Sequence, residues 1–211
     1  EANDLIRLTR PVMQEALASL SSQDTDIARA YAAVGLPPMR ARPTGFPTLV
    51  RAIVAQQVSV ASARAIIGRL EAATEGLDPQ AMMALDDAGM RTVGMSRQKV
   101  VYVRELAHAV LEKQLNFRRI GSLEDEGAIA ELTRIKGIGR WTAEVYLLFA
   151  HRRPDIWPVD DLAVVVGLQR LKGLEERPTR KEMLAIGEVW RPWRSVVARL
   201  CWHYYSSAPP A

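Results

Sequence analysis

Two short phrases hold most of the residues able to do chemistry. In Leu132-Thr-Arg-Ile-Lys-Gly-Ile-Gly-Arg-Trp-Thr-Ala-Glu144, two glycines one residue apart separate two apolar-patterned segments. Further on, Val159-Asp-Asp161 sets carboxylates ahead of the apolar run Leu162-Ala-Val-Val-Val166. Gly137 and Gly139 permit positive φ and close approach of a phosphate to the backbone. The amides around Gly139, Arg140 and Trp141 then open a helix, whose N-terminus is a natural anion site. Arg140 adds charge there and Thr142 a hydroxyl. A carboxylate at the start of the next helix stays ionised beside the helix dipole and can steady a developing positive charge or orient water. Plainer roles fit the same residues: a glycine that ends a helix and an Asp-Asp pair that caps one. Taken together, phosphate gripping beside a fixed acid points to DNA as the partner.

These groups must be positioned by helices. Apolar residues recur three or four apart over 47–70 and 100–111, with shorter stretches of the same period at 12–20, 27–34, 80–85, 128–135, 141–150, 162–171, 180–186 and 193–205. No alternating β-branched run is long enough for a sheet, so the expected fold class is all-α. Gly35-Leu-Pro-Pro38 and Arg42-Pro-Thr-Gly-Phe-Pro47 break the chain, and Thr44 and Pro47 are expected to cap and open one long helix over 47–70. Trp190-Arg-Pro-Trp-Arg-Ser195 is expected to open the last helix with Pro192 in its first turn. Arg91, Arg97 and Lys99 gather around Gly94-Met-Ser96, as a phosphate contact or a solvated cluster.

Composition narrows the classes. The 211 residues suffice for one or two domains, and 48% apolar with 25% charged residues is ordinary for a globular chain. A net charge of +4 and a pI near 9.5 favour a polyanionic partner. The single cysteine, Cys201, leaves no disulfide framework and no four-cysteine zinc or iron–sulfur site. Three histidines without a metal-binding spacing give no catalytic transition-metal site. No apolar run would span a bilayer, and Glu1-Ala-Asn-Asp lacks a signal-peptide form, so an intracellular, reducing location without membrane association is expected.

The order of motifs carries a family resemblance. From Phe46-Pro-Thr-Leu-Val-Arg-Ala-Ile-Val-Ala-Gln-Gln-Val-Ser59, through the glycine phrase and Asp161, to Trp190-Arg-Pro-Trp-Arg-Ser195, the chain resembles the helix–hairpin–helix DNA glycosylases. Within them it is closest to the 3-methyladenine DNA glycosylase II (alkylation-repair) branch, as a compact member without the N-terminal β-rich domain. The resemblance implies two helical lobes with a DNA-binding cleft between them: residues 45–154, ending in the hairpin, and residues 1–44 plus 155–211, carrying the aspartate. It implies a monofunctional hydrolase that flips a base from duplex DNA and cuts its N-glycosidic bond, in base excision repair. The expected substrates are 3-methyladenine, 7-methylguanine and etheno adducts.

Site residues follow from the same resemblance. The catalytic carboxylate matches Asp161, which leaves Asp160 to cap or orient. Bifunctional members carry a lysine directly after the hairpin arginine; here Trp141 stands there, and Lys136 lies before the first glycine. Trp141 and Trp202 match aromatics of the base pocket, where an indole face attracts a cationic methylpurine, although core packing fits them too. Val145 and Leu162 fall where better-known members carry tyrosines, and Phe46 lines the cleft or acts as an ordinary helix staple. DNA contacts fall on Gln56, Gln57 and Ser59, with Gln57 as the wedge that fills the emptied stack, and on Gly137, Gly139, Arg140 and Thr142. A structural K⁺ or Na⁺ is implied at the main-chain oxygens of Thr133, Ile135 and Ile138, and no cofactor for bond cleavage. The protein is expected to act as a monomer, cytoplasmic and nucleoid-associated in a bacterium or nuclear in a eukaryote. Two alternatives stay open: a helix–hairpin–helix protein that binds lesions without cutting, and an oxidised-base glycosylase/lyase.

Overall fold

The structure, a computed structural model, describes residues 6–207. Thirteen α-helices and one 3-10 turn, Glu188–Trp190, form the regular structure of these residues, with no strand among them. The first helices are α1 Arg10–Gln23, α2 Thr25–Val34, α3 Phe46–Ala55, α4 Val60–Ala73, α5 Pro79–Ala84, α6 Asp87–Thr92 and α7 Arg97–Leu111. The remainder are α8 Phe117–Ser122, α9 Asp125–Thr133, α10 Arg140–Phe149, α11 Leu162–Lys172, α12 Arg180–Gly187 and α13 Arg194–Ser207. The chain divides into two compact units. One is Arg42–Tyr146; the other joins the described residues up to Ala41 to those from Leu147 on.

In the first unit, α3, α5 and α6 pack on α7, and α4 packs on α3. Phe46, Leu49, Val50, Ile53 and Val54 give α3 its buried face. Its start differs from expectation: the cap is Gly45, at φ 119°, and Thr44 makes no cap, while Pro47 occupies the first turn. The long helix expected over 47–70 is two helices. Gln57 takes φ 56° in the turn 56–59, and the Ser59 hydroxyl caps α4 by accepting from the Ser62 amide at 3.1 Å. Both segments are amphipathic with the same period, so the periodicity runs on across the break and hides it. Val58 and Val60, which that period would bury, are exposed.

Both ends of α3 are tied. The Gly45 amide donates to the Tyr146 hydroxyl (2.9 Å), and Lys99 Nζ donates to the Val54 carbonyl (2.6 Å), one of the carbonyls an α-helix leaves unpaired at its end. Lys99 is thus a helix-end brace rather than a phosphate contact.

In the second unit α11 lies along α13, with α2 against both and α1 against α2. Gly167 explains how close the pair comes: a Cβ there would sit 2.3 Å from the Cys201 carbonyl oxygen. Only glycine admits that backbone-to-backbone approach. Asp24 caps α2, takes an ion pair from Lys172 at 2.6 Å and accepts from the Trp190 indole at 3.1 Å, joining three segments. The last helix begins at Arg194, so Pro192 precedes it rather than filling its first turn. The Trp190–Ser195 phrase is a packing device: Arg194 is held by Asp155 (2.8 Å), and Ser195 exchanges hydrogen bonds with the Ile156 backbone. Among the described residues no helix is long and apolar enough to cross a membrane.

Candidate functional site

The first unit carries an open groove of about 780 Å³. It brings together the turn after α3 (Gln56, Gln57), the hairpin from Thr133 to Gly139, and Trp141, Thr142 and Val145 on α10. Its lining holds one charged side chain, Lys136, and no carboxylate, which suits an anionic ligand. Trp141, 41% exposed, presents its indole there. Tyr102 of α7 completes the wall, a residue that no local sequence pattern singled out.

The hairpin's glycines differ in purpose. Gly137 has φ 95°, and a Cβ on it would fall 2.3 Å from Cγ of Tyr102, so this glycine is demanded by both the turn and the ring packed on it. At Gly139 a Cβ would meet nothing within 4 Å and φ is not positive. The chain itself does not require glycine there, which leaves room for a ligand to approach the amides that open α10. Local bonds shape the turn: Ile135 N–H to Leu132 O, Ile138 N–H to Ile135 O, and Ala143 N–H to Gly139 O.

Several expected DNA contacts are engaged inside the protein. Gln56 donates through Nε2 to the Gly137 carbonyl at 3.1 Å and to the Thr142 hydroxyl at 3.5 Å, so it braces the wedge turn against the hairpin. Thr142 is buried. Arg140 does not line the groove; Glu126 grips it through both oxygens (2.6 and 2.9 Å), and Glu144 takes its Nε at 2.8 Å. The Glu126 and Glu144 carboxylates raise its already high pKa, with Glu126 the larger influence. Ser59 is committed as a helix cap beside the turn, and Gln57 stays exposed at its apex. Phe46, only 4% exposed, is a core residue at the α3 start.

The carboxylate belongs to the second unit. Asp161, 9% exposed, is itself the cap of α11: its Oδ1 accepts from the Val164 amide at 2.9 Å. The same oxygen accepts from Nε1 of Trp202 at 2.9 Å, across the α11–α13 contact that Gly167 permits. Two donors on one oxygen hold the carboxylate's plane. Asp160, left to cap or orient, does not cap α11: it faces solvent and pairs with Arg180. Trp202 is half-buried and stacks on Phe149 with ring centroids 5.2 Å apart. Leu162, the first residue of α11, is 62% exposed beside Asp161. Phe149 and the buried Arg199 beneath it also escaped the sequence reading, since both look like ordinary helix-face residues. Among the described residues no cluster of three or more His, Cys, Asp or Glu could hold a metal ion.

The profile of the HhH-GPD superfamily, base excision DNA repair proteins, matches residues 50–192. DNA-3-methyladenine glycosylase 1 of Schizosaccharomyces pombe is 32% identical over 161 residues, covering 74% of this chain and 71% of that protein. DNA-3-methyladenine glycosylase 2 of Escherichia coli is 32% identical over 169 residues, 75% of this chain but 57% of its own length. The S. pombe 3-methyladenine glycosylase in complex with abasic DNA superposes with a TM-score of 0.81 at 31% identity, over 89% of this chain and 95% of that one. By the extent of that profile match and by these relatives, the chain belongs to the HhH-GPD superfamily of base excision DNA repair proteins.

Proposed function

We propose that the protein is a monofunctional DNA glycosylase that removes alkylated bases from duplex DNA, acting as a monomer. The observation that carries the reading is Asp161, a nearly buried carboxylate pinned through one oxygen by the Val164 amide and the Trp202 indole. The glycosidic bond breaks with its electron pair leaving on the base nitrogen, and positive charge develops at C1′ of the sugar. A fixed carboxylate stabilises that charge, then accepts a proton as water adds at C1′. Substrates already cationic or electron-poor, 3-methyladenine and 7-methylguanine first and etheno adducts next, leave without a separate general acid. Trp141, in the groove, would attract a cationic purine by about 0.5–2 kcal/mol.

Grip on the duplex falls to the groove. Its amides at Gly139 and beyond open α10 towards a phosphate, and Gln57 sits at the apex of a turn suited to filling an emptied base stack. The proposal extends to a structural K⁺ or Na⁺ at the main-chain oxygens of Thr133, Ile135 and Ile138. Among the described residues, no backbone hydrogen bond outside the helices reaches the Thr133 or Ile138 carbonyl. Those two carbonyls support the reading, while the third, of Ile135, also accepts from the Ile138 amide at 3.0 Å.

The test is a duplex carrying one 3-methyladenine or 1,N6-ethenoadenine, incubated under single-turnover conditions and assayed before and after mild alkali. Base release with strand breaks only after alkali is the expected result. Breaks without alkali would replace it with a lyase and point to Lys136, the amine that lines the groove. Tight binding without base release would leave a lesion-binding protein.

A further inference from the structure

The carboxylate's surroundings contain a buried cation that base release, as described, does not use. Arg199 on α13 is 2% exposed, and no carboxylate pairs with it among the described residues. Its guanidinium donates to the main-chain carbonyls of Met39 and of Leu148, the latter at 2.9 Å. Among the described residues its Nε finds no acceptor. Burial first, and the charge of Arg40 second, push its pKa down to about 10. A buried guanidinium without a counter-ion is costly, and an apolar side chain would fill the same space at less cost. What the charge gains here is a ring face. The guanidinium carbon lies 4.7 Å from the centroid of Phe149, close enough for a cation–π contact.

The contact continues. Phe149 stacks on Trp202 at 5.2 Å with 29° between planes, and Trp202 Nε1 reaches Asp161 Oδ1 at 2.9 Å. Arg199, Phe149 and Trp202 also share a cavity of about 10 Å³, so nothing larger than about one water could enter between them. The series runs from a buried cation, through two rings, to a carboxylate oxygen.

We infer that Arg199 and Phe149 are positioning residues for base release: they fix the plane of the Trp202 indole, which in turn fixes the carboxylate of Asp161. The inference rests on the reading of Asp161 as the reacting carboxylate. Without the clamp the indole turns about its side-chain bonds and its N–H leaves Oδ1, so that oxygen loses a donor that orients the carboxylate. Displacements of an ångström at a reacting group lower rate far more than they lower binding.

The experiment compares Phe149→Leu, Phe149→Tyr and Arg199→Met with wild type. It measures single-turnover base release from the lesion duplex, the Kd for abasic-site DNA, and Tm. Phe149→Leu and Arg199→Met should slow release by about 10–100-fold while Kd stays within about twofold. Phe149→Tyr, which keeps the ring face, should release base at close to the wild-type rate. The double variant Phe149→Leu/Arg199→Met should be no slower than the slower single one, because the two act as one unit. Phe149→Leu keeps the test open if Arg199→Met fails to fold. A folded Phe149→Leu with the wild-type rate overturns the inference, as does a Phe149→Tyr as slow as Phe149→Leu. So does a fall in rate no greater than the fall in folded fraction. Asp161→Asn serves as a separate control: if it still turns over, the reading of Asp161 fails, whatever the Phe149 variants do.

Discussion

Around the hairpin the polar groups are mostly backbone amides and neutral side chains lining an open groove, shaped by bonds a few residues apart, such as Ile138 N–H to Ile135 O, and braced from a distance by Gln56. Around Asp161 the polar groups are nearly buried and held by partners distant in the chain: Trp202 lies 41 residues away, and Arg199 reaches back to Met39. A groove of exposed amides suits a ligand whose phosphates repeat and whose sequence varies. A buried carboxylate with a fixed plane suits a single bond-breaking step. The contrast makes a general expectation: substitutions in the groove change affinity, and substitutions around Asp161 change rate.

The largest effect should come from Asp161→Asn. Asparagine keeps the size and an oxygen that can accept from Val164 and Trp202, and it removes the charge. Loss of one preorganised electrostatic group costs about 10²–10³ in rate or more. Binding to abasic-site DNA should change little. Single-turnover release alongside Kd checks both halves, and an equal loss in the two would erase the distinction between the regions.

Gly137→Ala should act in the opposite sense. The new Cβ meets the Tyr102 ring at 2.3 Å, and alanine at φ 95° carries its own strain of about 1–2 kcal/mol. Distortion of the hairpin should weaken DNA binding by about tenfold or more, with a smaller change in the rate of bound substrate. Combining it with Tyr102→Ala removes the clash but not the φ strain, so affinity should recover in part. Full recovery would show that the ring contact alone sets the hairpin's shape.

A smaller step tests the brace between turn and hairpin. Gln56→Leu leaves the Gly137 carbonyl without its side-chain donor, a loss of about 1 kcal/mol, or about fivefold in affinity. Titration of abasic-site duplex would measure it. An unchanged Kd would mean that the hairpin holds its shape without Gln56.

These variants also mark where the sequence could and could not be read. The all-helical class followed from apolar periodicity, and the hairpin and Asp161 stood out because their residue types are local and unusual. The break at Gln56–Ser59 did not show in periodicity, because a turn joining two helices of the same period leaves the spacing intact. Arg140 reads as a phosphate ligand in isolation, yet Glu126, fourteen positions back, takes both its terminal nitrogens. Asp160 and Asp161 are equivalent as a cap pair on paper; the direction of the turn decides that Asp161 caps and Asp160 meets Arg180. Tyr102, Phe149 and Arg199 matter only through contacts distant in sequence, and a single chain carries no local mark of them.

The least effect on function, and the sharpest test of how buried the second unit is, concerns His151. It is nearly buried, and burial first, then the charges of Arg153 and Arg7, push its pKa down to about 4 from the usual 6.5. The folded protein therefore refuses a proton that the unfolded chain accepts. The stability this neutral histidine allows is fully present above pH 6.5 and is lost as pH falls from 6.5 to about 4, below which both states are protonated and the slope ends. At about 1.4 kcal/mol per pH unit the loss comes to roughly 3 kcal/mol across that window. His151→Gln cannot take up the proton, so the difference in unfolding free energy between variant and wild type should shift in the variant's favour by that amount between pH 7 and pH 4. Other titrating groups cancel in the difference. Base release at neutral pH should be unchanged, because His151 is already neutral there. Parallel denaturation curves for the two proteins across the window would mean that His151 takes its proton in the folded state as readily as in the unfolded one, and that this part of the second unit is far wetter than its burial suggests.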